Sequence, residues 1–233
     1  MKKLIPITLL AVVFLSSCHS TQYTRADRYK KMYEETPLTL LVMPPINKTN
    51  NVEAKDLLYT SVNKPLIECG YYLISPQLAM DVLKAESAYD AEQFINQPLK
   101  MFKDYFGADA VVFSEILKWK KRPVLTEIDV EIRYIIKSTT TNDTLFDRQC
   151  DLTLDLKEES ANNSLLAKAI AAAVTVANMA TIDNIVAARM ANYYIFRDTP
   201  RGKYSPIFQK DKETGAEAPK VHATLKRRDV FQY

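Results

Sequence analysis

The chain has 233 residues, 47% of them hydrophobic and 25% charged, with a formal charge of +3. That length and composition fit one globular domain with extensions, and they exclude a fibrous or disordered chain. The near balance of 31 Lys and Arg against 28 Asp and Glu leaves no electrostatic footprint for nucleic acid.

Met1-Lys2-Lys3 and the mainly apolar run from Leu4 to Leu15 have the layout of a signal peptide, too short for a permanent span. Leu15-Ser16-Ser17-Cys18 then resembles the lipobox of bacterial lipoproteins. In that class the Cys thiol receives a diacylglycerol, the chain is cut just before it, and the new amine is acylated. Residues 1–17 therefore read as signal peptide, and Cys18 as an S-diacylglycerol cysteine carrying an N-palmitoyl group. Residue 19 is His, not the Asp that retains lipoproteins at the enterobacterial inner membrane. The expected location is the outer membrane, lipid-anchored, with the periplasmic face expected and the cell surface as the alternative. Residues 18–35 are polar and read as a tether.

A single domain is expected over residues 36–196. Leu38 to Met43 is a buried strand ended by Pro44-Pro45. Asn47, Asn50 and Asn51 offer caps for a helix running to about Glu68, with Ala54, Leu58, Val62 and Leu66 inward and Pro65 kinking it. Gly70 stops that helix, and Tyr71 to Ile74 is the next strand, completing a parallel βαβ unit. Ser75-Pro76 opens a short helix, and a second helix runs from Pro98 to Gly107. Asp109 to Leu117 is a strongly apolar strand. Alternation then becomes strict over 127–136 and 146–156, which reads as a long antiparallel hairpin covered on one face only. Residues 160–194 follow as a long Ala-rich helix. The expected class is α/β: a mixed sheet of about five strands with helices mainly on one face. Residues 197–233 hold nine Lys or Arg against five acids and read as a basic, partly irregular extension.

Catalytic chemistry is not expected. The two histidines, His19 and His222, lie in the tether and the tail, and four glycines leave no phosphate-cradling loop. No spacing resembles a metal site, and no cofactor is expected. Glu127, Asp129 and Glu131 can lie across from Asp151 and Asp155 on the outer hairpin face, which reads as a solvated face before it reads as a cation site. Cys69 and Cys150 both point inward. Either a disulfide between them or two buried free thiols fits a periplasmic setting.

Four segments carry a resemblance to a known family. They are Met43-Pro44-Pro45-Ile46-Asn47, Pro65 to Tyr72 with Pro76 beyond, Gly107-Ala108-Asp109-Ala110 running into Ile116-Leu117-Lys118-Trp119, and Gly202-Lys203-Tyr204-Ser205-Pro206. Together with the lipobox they resemble the GNA1162-type family of bacterial outer-membrane lipoproteins of uncharacterised function. Lys120 and Ser205 depart from the family pattern, which has Gly and His there. The resemblance implies a domain similar to the TolB N-terminal domain and to CsgG-like secretion lipoproteins, encoded beside a CsgG-like protein, with homodimers as one assembly. The function it implies is a structural or assembly module acting through protein–protein contacts in the envelope, with a CsgG-like secretion pore as one partner. The competing expectation is a periplasmic binding module for a small ligand or cell-wall fragment, seated near Pro44-Pro45-Asn47 at the carboxyl ends of the parallel strands.

Overall fold

The computed structural model describes residues 23–156 and 184–226. The signal segment, Cys18 and most of the long helix expected over 160–194 lie outside the described residues.

Two short helices open the fold, α1 (Arg25–Arg28) and α2 (Lys30–Glu35). Thr24 and Asp27 close a reciprocal capping box on α1, and Thr36 ends α2 in the left-handed region. Tyr29 and Met32 from these helices are buried in the core. Residues 24–35 are therefore part of the domain, which corrects the reading of 18–35 as tether. Polarity misled there because α1 and α2 bury polar and aromatic side chains rather than an aliphatic stripe.

β1 (Thr39–Val42) runs into Pro44-Pro45, and the chain resumes pairing as β2 (Ile46–Asn47). Asn51 caps α3 (Val52–Ser61) by accepting the Ala54 amide at 3.1 Å. The expected single helix divides at Val62, and α4 (Asn63–Glu68) continues it. Pro65 has no N–H to give the Ser61 carbonyl, which accounts for the break. β3 (Tyr72–Leu73), α5 (Pro76–Ala85) and α6 (Lys100–Phe106) follow, with Gly107 closing α6 at φ 67°. β4 (Ala110–Arg122), β5 (Glu127–Ser138) and β6 (Thr144–Asp155) form the antiparallel part. Then come α7 (Asn184–Phe196) and β7 (Lys220–Lys226).

The sheet has seven described strands rather than about five, in the order β3-β1-β4-β5-β6-β7, with β2 also on β4. β1 is parallel to β3 and β4, β4-β5-β6 are antiparallel, and β7 is parallel to β6. The two additional strands are β2, which follows a Pro-Pro kink taken as a strand end, and β7, which lies in the expected irregular tail.

Alternate residues of the parallel half divide between two cores. Leu40, Val42, Ala110 and Val112 join the core of α3, α4 and α7. Leu41, Met43, Val111 and Phe113 join the core of α5 and α6. Helices therefore cover both faces of this half, as parallel strands usually demand, with α2, α3, α4 and α7 on one face and α5 and α6 on the other. In the antiparallel half one face is buried: Ile128, Val130, Ile132, Tyr134 and Ile136 go inward with Cys150, Leu152 and Leu154, while on the other face, among the described residues, Ile135 alone of β5 joins the core of α5 and α6. β4 serves both halves through a bulge between Ile116 and Lys118. The extra residue re-phases the strand, so Trp119 stays in the core while Lys118, Lys120 and Arg122 share the open face with β5 acids.

Candidate functional site

Three constellations stand out. The first joins the two ends of the domain. Arg25 is buried, and its guanidinium reaches both Asp211 Oδ2 (3.2 Å) and Asp198 Oδ1 (3.5 Å), while Nη2 donates to the Arg197 carbonyl at 2.7 Å. Tyr29 Oη donates to Asp198 Oδ2 at 2.6 Å; burial first, and the adjacent carboxylate second, push that phenol well above its ordinary range. The Arg201 amide also donates to Asp211 Oδ2 and the Glu217 amide to Asp198 Oδ2. Backbone bonds from Arg25 to Thr214, from Ala26 to Lys212 and from Ala216 to Tyr23 stitch the same two segments. Nearby, Arg148 is fully buried, donates to the Ile195 carbonyl at 2.6 Å and the Tyr194 carbonyl at 3.2 Å, and pairs with Glu217. A cation there complements the negative end of α7.

The second constellation is a backbone clasp. Gly202 donates to the Cys69 carbonyl at 2.9 Å and Tyr204 to the Gly70 carbonyl at 3.0 Å. A Cβ on Gly202 would stand 2.4 Å from the Gly70 oxygen, and Gly70 itself has φ 93°. Only glycine fits the crossing. Tyr71 Oη donates to the Pro200 carbonyl at 2.5 Å. Two segments that carry the family resemblance thus pack on one another. The others also have local structural duties. Asp109 accepts the Leu38 and Thr39 amides at 3.0 and 2.9 Å and pairs with Lys103 at 2.5 Å. Burial works against the ionised carboxyl, but those bonds outweigh it and hold Asp109 below the usual carboxylate range.

The third is the open face of the antiparallel half. Its register places a basic column on β4 (Lys118, Lys120, Arg122), acidic columns on β5 (Glu127, Asp129, Glu131) and β6 (Asp151, Asp155), and a basic column on β7 (Lys220, His222, Lys226). Glu127 faces Asp155 and Glu131 faces Asp151, as the hairpin pattern predicts. The flanking columns neutralise them: Lys118 lies 2.6 Å from Asp151, Arg122 pairs with Asp129 and with Glu127 at 3.4 Å, and Lys220 stands 4.0 Å from Glu131. His222 Nδ1 lies 3.3 Å from Asp151.

Other expected site residues fall as follows. Cys69 and Cys150 are buried and free, so the disulfide alternative is not the one adopted. Cys69 Sγ accepts from Arg201 Nη1 at 3.0 Å and donates to the Phe196 carbonyl at 3.5 Å; Cys150 sits across from Ile132 in the core. Burial pushes the Cys150 thiol up to about 11 and raises Cys69 despite the cations beside it. The crevice expected at Pro44-Pro45-Asn47 is filled by the chain. Both prolines are buried, β2 continues the sheet, and Asn47 spends its amide on Asn51 (2.8 Å) and Thr49 (3.0 Å).

The structure also brings together residues that sequence reasoning passed over. Arg148 is in phase with Phe146 and Cys150, on the inward face of β6. A charged residue at an apolar phase was its signal. Asp198 and Asp211 carried none, since no period runs through their segment.

Comparison with known proteins places this arrangement. The family model described as "Putative lipoprotein GNA1162-like" matches residues 27–202. "Putative lipoprotein NMB1124/NMB1162" of Neisseria meningitidis serogroup B is 29% identical over 119 residues, 51% of this chain. The chain spans about half (54%) of the length of that curated relative. Among solved structures, lipoprotein GNA1162 from Neisseria meningitidis is 19% identical, with 63% of this chain and 100% of that one covered and a TM-score of 0.46. A PelC dodecamer from Paraburkholderia phytofirmans is 12% identical, with 66% and 89% covered and a TM-score of 0.31. By the match over residues 27–202, the chain belongs to the GNA1162-like lipoprotein family.

Proposed function

We propose that this protein is a lipid-anchored module of the bacterial outer membrane, facing the periplasm, that works by protein–protein contact close to the membrane surface. The observation that carries the reading is how few residues separate Cys18 from the first described residues of the domain. Thr24 already belongs to the domain, bridged to Gly215 and capping α1. Acylated Cys18 is six residues away, so the leash reaches about 20 Å at full extension. A tether of residues 18–35 would have reached about 60 Å. Such a domain is held near the bilayer and meets partners there.

The open, charge-patterned sheet face supports contact rather than chemistry. α1 and α2 lie on the other side, where Tyr29 stacks on Phe146 at 5.1 Å. The charged face of β4–β7 looks away from α1 and α2. A secretion pore of the CsgG type fits as a partner class through the family resemblance.

The test is a Cys18→Ala variant fractionated from cells, with crosslinking in intact cells to identify neighbours. The variant is expected to leave the membrane fraction with its thermal unfolding unchanged, while the acylated protein crosslinks to envelope proteins. A variant that still sediments with membranes overturns the anchoring. An acylated protein with no envelope neighbour overturns the contact role.

A further inference from the structure

Among the described strands the sheet has two unlike edges. β3 is two residues long, whereas β7 is seven residues long, contains no Pro and pairs with β6 without a register shift from Gln149↔Lys220 to Asp155↔Lys226. The Gln149 amide donates to the Pro219 carbonyl. In a parallel ladder that phase turns the backbone groups of Val221, Ala223 and Leu225 toward β6, and those of Lys220, His222, Thr224 and Lys226 outward. Among the described residues no strand takes up this outer row. The side chains alternate as well. Leu225 is buried and Val221 and Ala223 pack against the core, while Lys220, His222, Thr224 and Lys226 are exposed.

The charge columns say what would fit beside it. Across the open face they run basic, acidic, acidic, basic, each basic column lying against an acidic one. A strand continuing the sheet beyond β7 would meet Lys220, His222 and Lys226. A second copy of β7, laid antiparallel and centred on Ala223, sets Lys220 opposite Lys226 at both ends, and like charges directly opposite repel. A strand with acidic residues at those positions is attracted instead, and its intervening apolar residues extend the core past Val221 and Leu225.

We propose that the outer edge of β7 is a strand-addition site for an extended segment of a partner protein in which acidic residues alternate with apolar ones. Backbone bonds to Lys220, His222, Thr224 and Lys226 provide the attachment, and the Lys220 and Lys226 side chains select the acidic pattern. The proposal rests on the contact-acting reading above and names the chemistry of the contact.

The test uses the acylated full chain in detergent micelles and a capped heptapeptide alternating Glu and Val, read by residue-resolved hydrogen exchange. The amides of Lys220, His222, Thr224 and Lys226 should exchange freely in the protein alone and become protected with millimolar peptide. A Lys/Val peptide should bind about tenfold more weakly, the scale of opposite-charge cross-strand pairs at Lys220 and Lys226 exchanged for like-charge ones. Methylating the bonding amides of the Glu/Val peptide should abolish protection, and K220E/K226E should reverse the preference between the two peptides. If the four amides are already protected in the protein alone, the edge is covered by this chain or a second copy and the proposal fails. Equal protection by both peptides, indifference to amide methylation, or no protection at all also overturns it. These outcomes do not depend on membrane release by Cys18→Ala, so failure here is distinct from failure of the anchoring.

Discussion

Replacing Arg25 by Ala tests whether the two ends of the domain are locked together or merely adjacent. The Arg25 side chain is 10% exposed and those of Asp198 and Asp211 are each 2% exposed. The variant leaves two buried carboxylates without the guanidinium that bridges them and frees the Arg197 carbonyl. Breaking a buried ion pair by deleting one partner costs about 3–5 kcal/mol, because the remaining charge stays desolvated. For a domain of this size each kcal/mol lowers the midpoint by about 2–4 °C, so a fall of about 6–20 °C is expected in a calorimetric scan. Limited trypsin digestion under native conditions should also begin to cut at Lys30 and Lys31 as α1 and α2 peel away. The leash from Cys18 would then lengthen from about 20 Å to about 60 Å. Adding Asp198→Asn and Asp211→Asn to the Arg25→Ala background should recover part of the loss, since no unpaired charge is then buried. A midpoint within about 1 kcal/mol of the parent, with no new cleavage, would refute the reasoning and class the cluster with ordinary surface pairs.

Gly202→Ala places a Cβ 2.4 Å from the Gly70 oxygen, and both partners are backbone. A loss of about 1–3 kcal/mol or more in urea unfolding is expected, and a variant as stable as the parent would remove the clasp from the account. Asp109→Ala should cost about 1.5–3 kcal/mol at neutral pH through lost charge-assisted bonds, measured by the same unfolding. Because the folded carboxyl titrates below its ordinary value near 3.9, its contribution is present above that value and fades as pH falls through the folded one; the difference between parent and variant should therefore shrink below about pH 4. Cys69 and Cys150 should resist alkylation at pH 8 in the native protein and react together on unfolding; intact mass after air oxidation should show no loss of two hydrogens. Rapid labelling of either thiol before unfolding would contradict their burial.

Much of the architecture was legible because it is written in local periods. Residues 127–136 alternate apolar and polar, and that alone placed Ile128, Val130, Ile132, Tyr134 and Ile136 inward and the acids outward. The continuous apolar run Ala110-Val111-Val112-Phe113 marked a strand buried on both sides, which is why helices cover both faces around it. Which helices lie on which side was not legible, because a short buried strand does not name its covering helices. The strand count fell short at Pro44-Pro45, where the chain bends yet keeps its partner β4. It fell short again at 220–226, where Val221, Ala223 and Leu225 alternate with charges inside a segment dominated by Pro, Gly and Lys.

The sequence by itself determined the parallel start, the hairpin with its alternating polar face, and the family likeness of four segments, and it raised the lipobox-like Leu15-Ser16-Ser17-Cys18 as an expectation. These rest on neighbours in the chain: turn residues, caps and alternation. Only the tertiary structure decided that Arg25 meets Asp198 and Asp211, that Gly70 crosses Gly202, and that β7 closes the sheet beside β6. Each joins residues far apart in the chain, and nothing in a local period says which distant partner a buried charge or a bare backbone will find. That is also why the tether shrank. Polar residues 24–35 read as solvated until their distant partners, in the β5–β6 hairpin and beyond residue 196, were in place.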